Sequence, residues 1–137
     1  MRHIFLDTNF IIDYFIREDF QGDAEKLMTL EKRANSPFFI SYLTVANFAY
    51  ILRKMPIDDL KSLIRQICKN FIIISNTEAQ IQRALDVNTS DFEDLLQYQA
   101  ALDAQCDYII TRNEKDFSFS EIPVMSPTSF LKTIINI

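Results

Sequence analysis

The segment NTSDFEDLLQYQ (Asn88–Gln99) crowds three carboxylates, Asp91, Glu93 and Asp94, into four residues. Helix-start chemistry accounts for part of this. Ser90 and Glu93 have the spacing of a capping box, in which Ser90 caps the helix and Glu93 reaches back to the cap's own N–H. Asp91 in the first turn is favoured by the helix dipole. Asp94 has no such local role. It falls past the capping positions, on the flank of a stripe formed by Phe92, Leu95, Leu96, Gln99 and Leu102, and one turn from Asp91 on the same side. Like charges so placed cost energy unless solvent or a cation compensates. Asp94 is therefore the first candidate for a group that holds a metal.

Asp7 is the second. It ends the apolar run IFLD, where the binding crevice of a parallel α/β sheet lies beyond the carboxyl ends of the strands. Thr8 and Asn9 follow it and are suited to orienting it. As an N-cap for the next helix Asp7 has an equally local explanation, and one side chain can do both. In IITRNEKDF the strand ends at Thr111, so Arg112, Asn113 and Asp116 project toward the same edge, although Asn113 and Asp116 are also ordinary turn residues. Asn47, in the first turns of the helix after the second strand, reads as either cap-region filler or site. A pocket built from these groups is rich in oxygen, poor in nitrogen and free of thiolate, which suits Mg²⁺ or Mn²⁺ rather than Zn²⁺.

Composition removes most other chemistries. Gly22 is the only glycine, so neither a Walker loop nor a GxGxxG dinucleotide turn can be built. The single histidine, His3, leaves no Ser-His-Asp or Cys-His engine. Cys68 and Cys106 stand alone on helix-like segments without metal spacing, and buried free thiols are expected. The net charge of −5 weighs mildly against nucleic acid as a ligand, but a cation in an acidic site inverts the local field. Met1-Arg2-His3 runs directly into a strand, so no secretory leader is expected, and no apolar stretch approaches the roughly 18 residues of a membrane span.

The elements that must position these groups are legible in outline. Short apolar runs at His3–Asp7, Pro37–Ser41, Phe71–Ser75, Asp107–Thr111 and Ile122–Ser126 read as about five strands. Helical patterns lie between them: NFIIDYFIRE and DAEKLMTLEKRA with a break at Gly22, TVANFAYILRKM, and PIDDLKSLIRQICKN. TEAQIQRALDV follows, with Thr77 and Gln80 spaced as a capping box, then a helix from about Asp91 to Gln105, and a last helix opened by Pro127. Strands alternating with helices predict an α/β fold with a mostly parallel sheet. At 137 residues, 48% of them apolar, a single domain over 1–137 is expected.

FLDTNFIIDYF, SYLTVANFAYILRK, DFEDLLQYQAAL and IITRNEKDFSFSEIPVMSP together resemble the PIN domain, the fold of metal-dependent ribonucleases that includes the VapC-like toxins. LDTN alone is weak, whereas DFEDLLQ followed at the right interval by IITRN..DF is specific. The resemblance spans nearly the whole chain and implies a three-layer fold with helices flanking the central sheet. It further implies hydrolysis of RNA phosphodiester bonds in the cytoplasm, an antitoxin protein as partner, and a homodimer. Carried over by position, the metal-binding acids are Asp7 and Asp94, with Asp91 and Asn113 as further ligands and Asp116 and Asn47 beside them in catalysis. Arg112, Thr111 and Asn9 would meet substrate, and Arg53 and Lys54 would either meet phosphate or close their helix. Asn47 and Asn113 stand where the family usually has acids. An amide oxygen can ligate Mg²⁺ but brings no charge and cannot act as a base.

Two rivals remain. A PIN-fold binding module that lost turnover and acts by RNA or protein contact takes its support from Asn47 and Asn113. An aspartate-phosphorylated enzyme or receiver domain also uses strand-end acids. Here, however, Asn9 stands where such a phosphatase needs its second Asp, and Ser75 and Ser126 stand where a receiver needs Asp and Lys.

Overall fold

A computed structural model describes residues 2–16, 18–33, 36–88 and 91–135. In chain order the elements are β1 (Ile4–Leu6), α1 (Thr8–Phe15), α2 (Glu18–Arg33), β2 (Phe38–Ser41), α3 (Tyr42–Ile51), α4 (Ile57–Asn70) and β3 (Ile72–Ile74). They continue with α5 (Glu78–Leu85), α6 (Phe92–Asp103), β4 (Tyr108–Ile110), a 3₁₀ turn (Glu114–Phe117), β5 (Val124–Met125) and α7 (Pro127–Ile135). All five strands run parallel, in the order β3-β2-β1-β4-β5, with Ile4 in register with Phe38 on one side and Tyr108 on the other.

The short strands are uniformly apolar because both faces of the sheet are covered. Alternate residues go to opposite layers. Ile4, Leu6, Phe38, Ile40 and Ile110 face a core closed by Phe10 and Ile11 of α1, Leu27 of α2, Phe48 of α3, Ile67 of α4 and Phe130 of α7. Phe5, Phe39 and Ile109 face a smaller core closed by Tyr98 and Ala101 of α6 and by Phe117. The result is helices, sheet, helices: the expected three-layer α/β fold. Each fully buried Phe, Leu or Ile in these layers contributes about 1.5–3 kcal/mol.

Two local expectations give way. Helix α2 runs straight through Gly22, where an added Cβ would meet nothing within 4 Å. One glycine costs a helix only about 1 kcal/mol, and the chain instead breaks after Ile16, the C-cap of α1. Of the two cysteines only Cys106 is buried, its thiol pushed up to about 12 by that burial, whereas Cys68 is exposed on α4. The Thr77–Gln80 capping box forms, and Pro127 opens α7. Among the described residues no helix is long and apolar enough to cross a membrane.

The topology decides where a site can be. From β1 the sheet grows one way to β2 and β3 and the other way to β4 and β5. The crevice of such a sheet lies at this switch, beyond the carboxyl ends of β1 and β4. Asp7 follows the last residue of β1 and Thr111 the last of β4.

Candidate metal centre

Asp7 leaves β1 in extended conformation and caps α1. Its Oδ1 accepts the Phe10 amide N–H at 3.1 Å and its Oδ2 accepts the Thr111 hydroxyl at 2.7 Å. With 5% exposure this carboxylate is almost out of water. Burial pushes it up to about 6, against the opposing effect of hydrogen bonds from Thr111 and from the Phe10 and Asn9 amides. Asp7 is thus both cap and interior acid, and the two readings of its sequence position are compatible.

Asp94 reaches the same cleft from α6. That helix opens at Asp91, whose Oδ1 accepts the Asp94 amide N–H at 3.2 Å. The expected cap, Ser90, lies outside the described residues, and the cap is Asp91 rather than a residue of the first turn. Partial burial pushes the Asp94 carboxyl up to about 7, helped by the charges of Asp91, Asp116 and Asp7. The expected reach of Glu93 back to Ser90 likewise falls outside the described residues. Glu93 accepts a hydrogen bond from the Asn47 side-chain amide across the cleft mouth, joining α6 to α3. Of the expected apolar stripe Leu95 and Gln99 are buried, but Phe92 is 40% exposed and Leu102 38%, and Gln97 and Tyr98 are buried beside them.

These groups line a cleft of about 290 Å³ that gathers Asp7, Asp91, Glu93, Asp94 and Asp116, together with Asn9 and Asn47, and among the described residues no lysine or arginine lines it. With no basic side chain in the described lining, compensation for the carboxylates falls to hydrogen-bond donors, protons and cations. Among the described residues no three acidic, His or Cys side chains are already drawn around one point as metal ligands. The donor set nevertheless fits a hard divalent cation: oxygen atoms only, two of them on carboxyls whose charge is held back by burial and mutual repulsion.

Beneath the cleft lies a polar network that sequence reasoning missed. Gln97, 1% exposed, accepts from the Ser41 hydroxyl at 3.2 Å and donates to Thr8 Oγ1 at 3.0 Å. Thr8 and Thr44 share a hydrogen bond at 3.0 Å, and Ser41 caps α3. The starts of α1 and α3 are thereby tied to the middle of α6, under the acids. A glutamine one turn beyond Asp94 was the available signal.

Three expected site residues lie elsewhere. Thr111 is fully buried beneath the cleft and donates its hydroxyl to Asp7. Arg112 turns away from the cleft, and its Nε donates to buried Asp13 at 3.0 Å. An acid inside the apolar stretch FIIDYF was the unread cue to that pairing. Asn113 precedes the 3₁₀ turn, donates its backbone N–H to Thr111 Oγ1, and does not line the acidic cleft, whereas Asp116 of the same turn does. Arg53 closes α3, its Nη1 donating to the Tyr50 carbonyl at 2.9 Å.

Solved structures resemble this chain over most of its length. A toxin–antitoxin complex from Klebsiella pneumoniae matches at TM-score 0.68 and 26% identity, covering 90% of this chain and 97% of that one. VapBC-1 from nontypeable Haemophilus influenzae matches at 0.63 and 20% identity, covering 91% and 98%. VapC20 of Mycobacterium tuberculosis, described as a sarcin–ricin-loop-cleaving toxin, matches at 0.56 and 14% identity, covering 77% and 86%. No curated protein matches by sequence. The family model for the PIN domain matches residues 3–115, and with the parallel sheet and its acidic switch point this places the chain in the PIN domain family.

Proposed function

We propose that this chain is a divalent-metal-dependent endoribonuclease of the VapC-like toxin type. The observation that carries the reading is the cleft at the switch point, where Asp7 and Asp94 are pushed up to about 6 and about 7 with no basic side chain beside them among the described residues. Such an arrangement is costly to the fold and useful to a cation.

Asp7 and Asp94 would hold Mg²⁺ or Mn²⁺, with Asp91 and Asp116 adding charge around it. When bound, such an ion supplies Lewis-acid stabilisation of charge at phosphorus and acidifies a water molecule. The chain's own residues do the positioning. Thr111 fixes Asp7, and the Gln97 network ties the starts of α1 and α3 to the middle of α6. Asn47 holds Glu93 at the mouth, and Asn9 stands beside Asp7 where substrate would enter. The likeness to toxin–antitoxin complexes supports an antitoxin as protein partner, and a homodimer as the working form and the cytoplasm as the setting are part of the same proposal.

A second reading, a PIN-fold binding module without turnover, draws on Asn47, whose amide is spent on Glu93, and on Asn113, which stands off the cleft. Incubation of single-stranded RNA with the purified chain separates the two. Cleavage in Mn²⁺ that stops in excess chelator supports the nuclease. RNA retained intact across both ions, at concentrations up to tens of millimolar, supports the binding module.

A further inference from the structure

The cleft has a problem that its acids cannot solve. The chain carries a net charge of −5 and its cleft gathers carboxylates, so phosphate charge alone cannot hold a nucleic acid there. Part of the binding has to come from contacts indifferent to charge. One group at the mouth is built for that.

Tyr50 lies on the last turn of α3, one turn beyond Asn47, and lines the same cleft as Asp7 and Asp94. Its side chain is 66% exposed, an unusual state for an aromatic ring, while its neighbour Phe48 is fully buried. Arg53 is folded back over it. The guanidinium carbon stands 4.2 Å from the ring centroid, and Nη1 is pinned by the Tyr50 carbonyl at 2.9 Å. The guanidinium thus takes one face of the ring and leaves the other for a ligand. Such stacking also fixes the ring before anything binds and sets a positive charge at the rim of a negative cleft. Lys54, next in sequence, is also exposed.

We propose that Tyr50, braced by Arg53, is a stacking platform for one unpaired base of single-stranded RNA, holding the nucleotide that flanks the bond presented to Asp7 and Asp94. The proposal rests on the nuclease reading and adds to it a base-binding subsite. A planar, sequence-tolerant surface suits an unstacked base, and duplex RNA has none to offer.

The test pairs substitutions in the chain with lesions in the substrate. Short fluorescent single-stranded RNAs, each with one abasic nucleotide at a different position, are cleaved in Mn²⁺ by wild type, Tyr50→Phe, Tyr50→Ala and Tyr42→Ala. Tyr42 is as exposed as Tyr50 but does not line the cleft. Loss of one stacked base is expected to raise KM about 5- to 150-fold in Tyr50→Ala. Tyr42→Ala stays at wild type, and Tyr50→Phe, which keeps the ring, recovers most of what Tyr50→Ala loses. One abasic position imposes the same penalty on wild type and none further on Tyr50→Ala.

An unchanged KM in Tyr50→Ala, or an abasic penalty that adds to the substitution, overturns the platform while the nuclease reading stands. Unchanged KM with weakened self-association would assign Tyr50 to a protein contact and likewise overturn it. If wild type cleaves no RNA the nuclease reading fails, and the same chains and oligonucleotides are compared by fluorescence anisotropy. The platform then stands on the same pattern in Kd, and falls if wild type binds none of them.

Discussion

Thr111 and Asp7, 104 positions apart in sequence, meet at 2.7 Å where β4 and β1 end side by side. The hydroxyl donates to the carboxylate and thereby favours its charged form in a place where burial opposes it. One contact thus joins the sheet register to the chemistry of the cleft. Thr111→Val, which removes the hydroxyl and keeps the shape, is expected to destabilise the fold by about 1–3 kcal/mol. It also pushes the Asp7 carboxyl higher, moving the alkaline rise of activity to higher pH. Thr111→Ser keeps both properties near wild type. Chemical denaturation and a pH–rate profile of the two variants check this.

Metal-free protein is expected to grow less stable as pH rises from 4 to 8. The Asp7 and Asp94 carboxyls are pushed up in the fold from 3.8 to about 6 and about 7. Between those values the folded chain binds more protons than the unfolded chain, so stability falls with increasing pH. Asp7, almost wholly buried, accounts for a loss of up to about 3 kcal/mol. Asp94 is half open to solvent and acts in the same direction more weakly. Mn²⁺ or Mg²⁺ reverses the trend, because the ion takes the deprotonated carboxylates. At 10 to 100 times its dissociation constant it stabilises the fold by about 1–3 kcal/mol. Thermal melts at pH 5 and pH 8, with and without Mn²⁺, read both effects. Equal pH dependence in the presence and absence of the ion would count against metal binding at these acids.

Asn47→Glu replaces the amide that donates to Glu93 with a like charge. Without metal the variant is expected to lose about 1 kcal/mol of stability, from the lost hydrogen bond and the added repulsion. With Mn²⁺ present the deficit shrinks, since a further carboxylate within several ångströms of a cation attracts it. Calorimetric titration of Mn²⁺ into both proteins should show binding up to about tenfold tighter in the variant, roughly 1.4 kcal/mol. Equal affinities would mean that residue 47 serves only to hold Glu93.

The sheet, the α/β class and the two central acids were legible because each announces itself locally. Apolar runs mark strands buried on both faces, a strand-end Asp marks the crevice, and Asp94 stands out as an acid past a Ser90 cap, although with Asp91 as the cap it lies in the first turn of α6. What the sequence hid depends on segments meeting. The pairing of Arg112 with Asp13 joins β4's exit to the middle of α1, and the acid inside FIIDYF signals that a partner is needed without saying which. The Ser41–Gln97–Thr8 network joins two helix starts to the middle of a third helix. The face of α6 was misjudged because that helix packs against the sheet, α5 and the 3₁₀ turn at once, so it buries glutamines and leaves Phe92 and Leu102 half in water. Gly22 misled in the opposite way: a strong local signal for a break yielded to a helix long enough to absorb its cost.

Cleavage of single-stranded RNA in Mn²⁺ by wild type and by Asp94→Asn, side by side, bears most directly on the acid cleft as a metal-dependent nuclease centre. The substitution keeps the size of the side chain and removes a charge from a repulsive cluster, so the thermal midpoint without metal should stay level or rise. Wild type is expected to yield defined fragments that disappear in chelator, and Asp94→Asn to leave the RNA intact at every Mn²⁺ concentration tried. Fragments produced equally by both proteins, or by neither, would contradict the assignment.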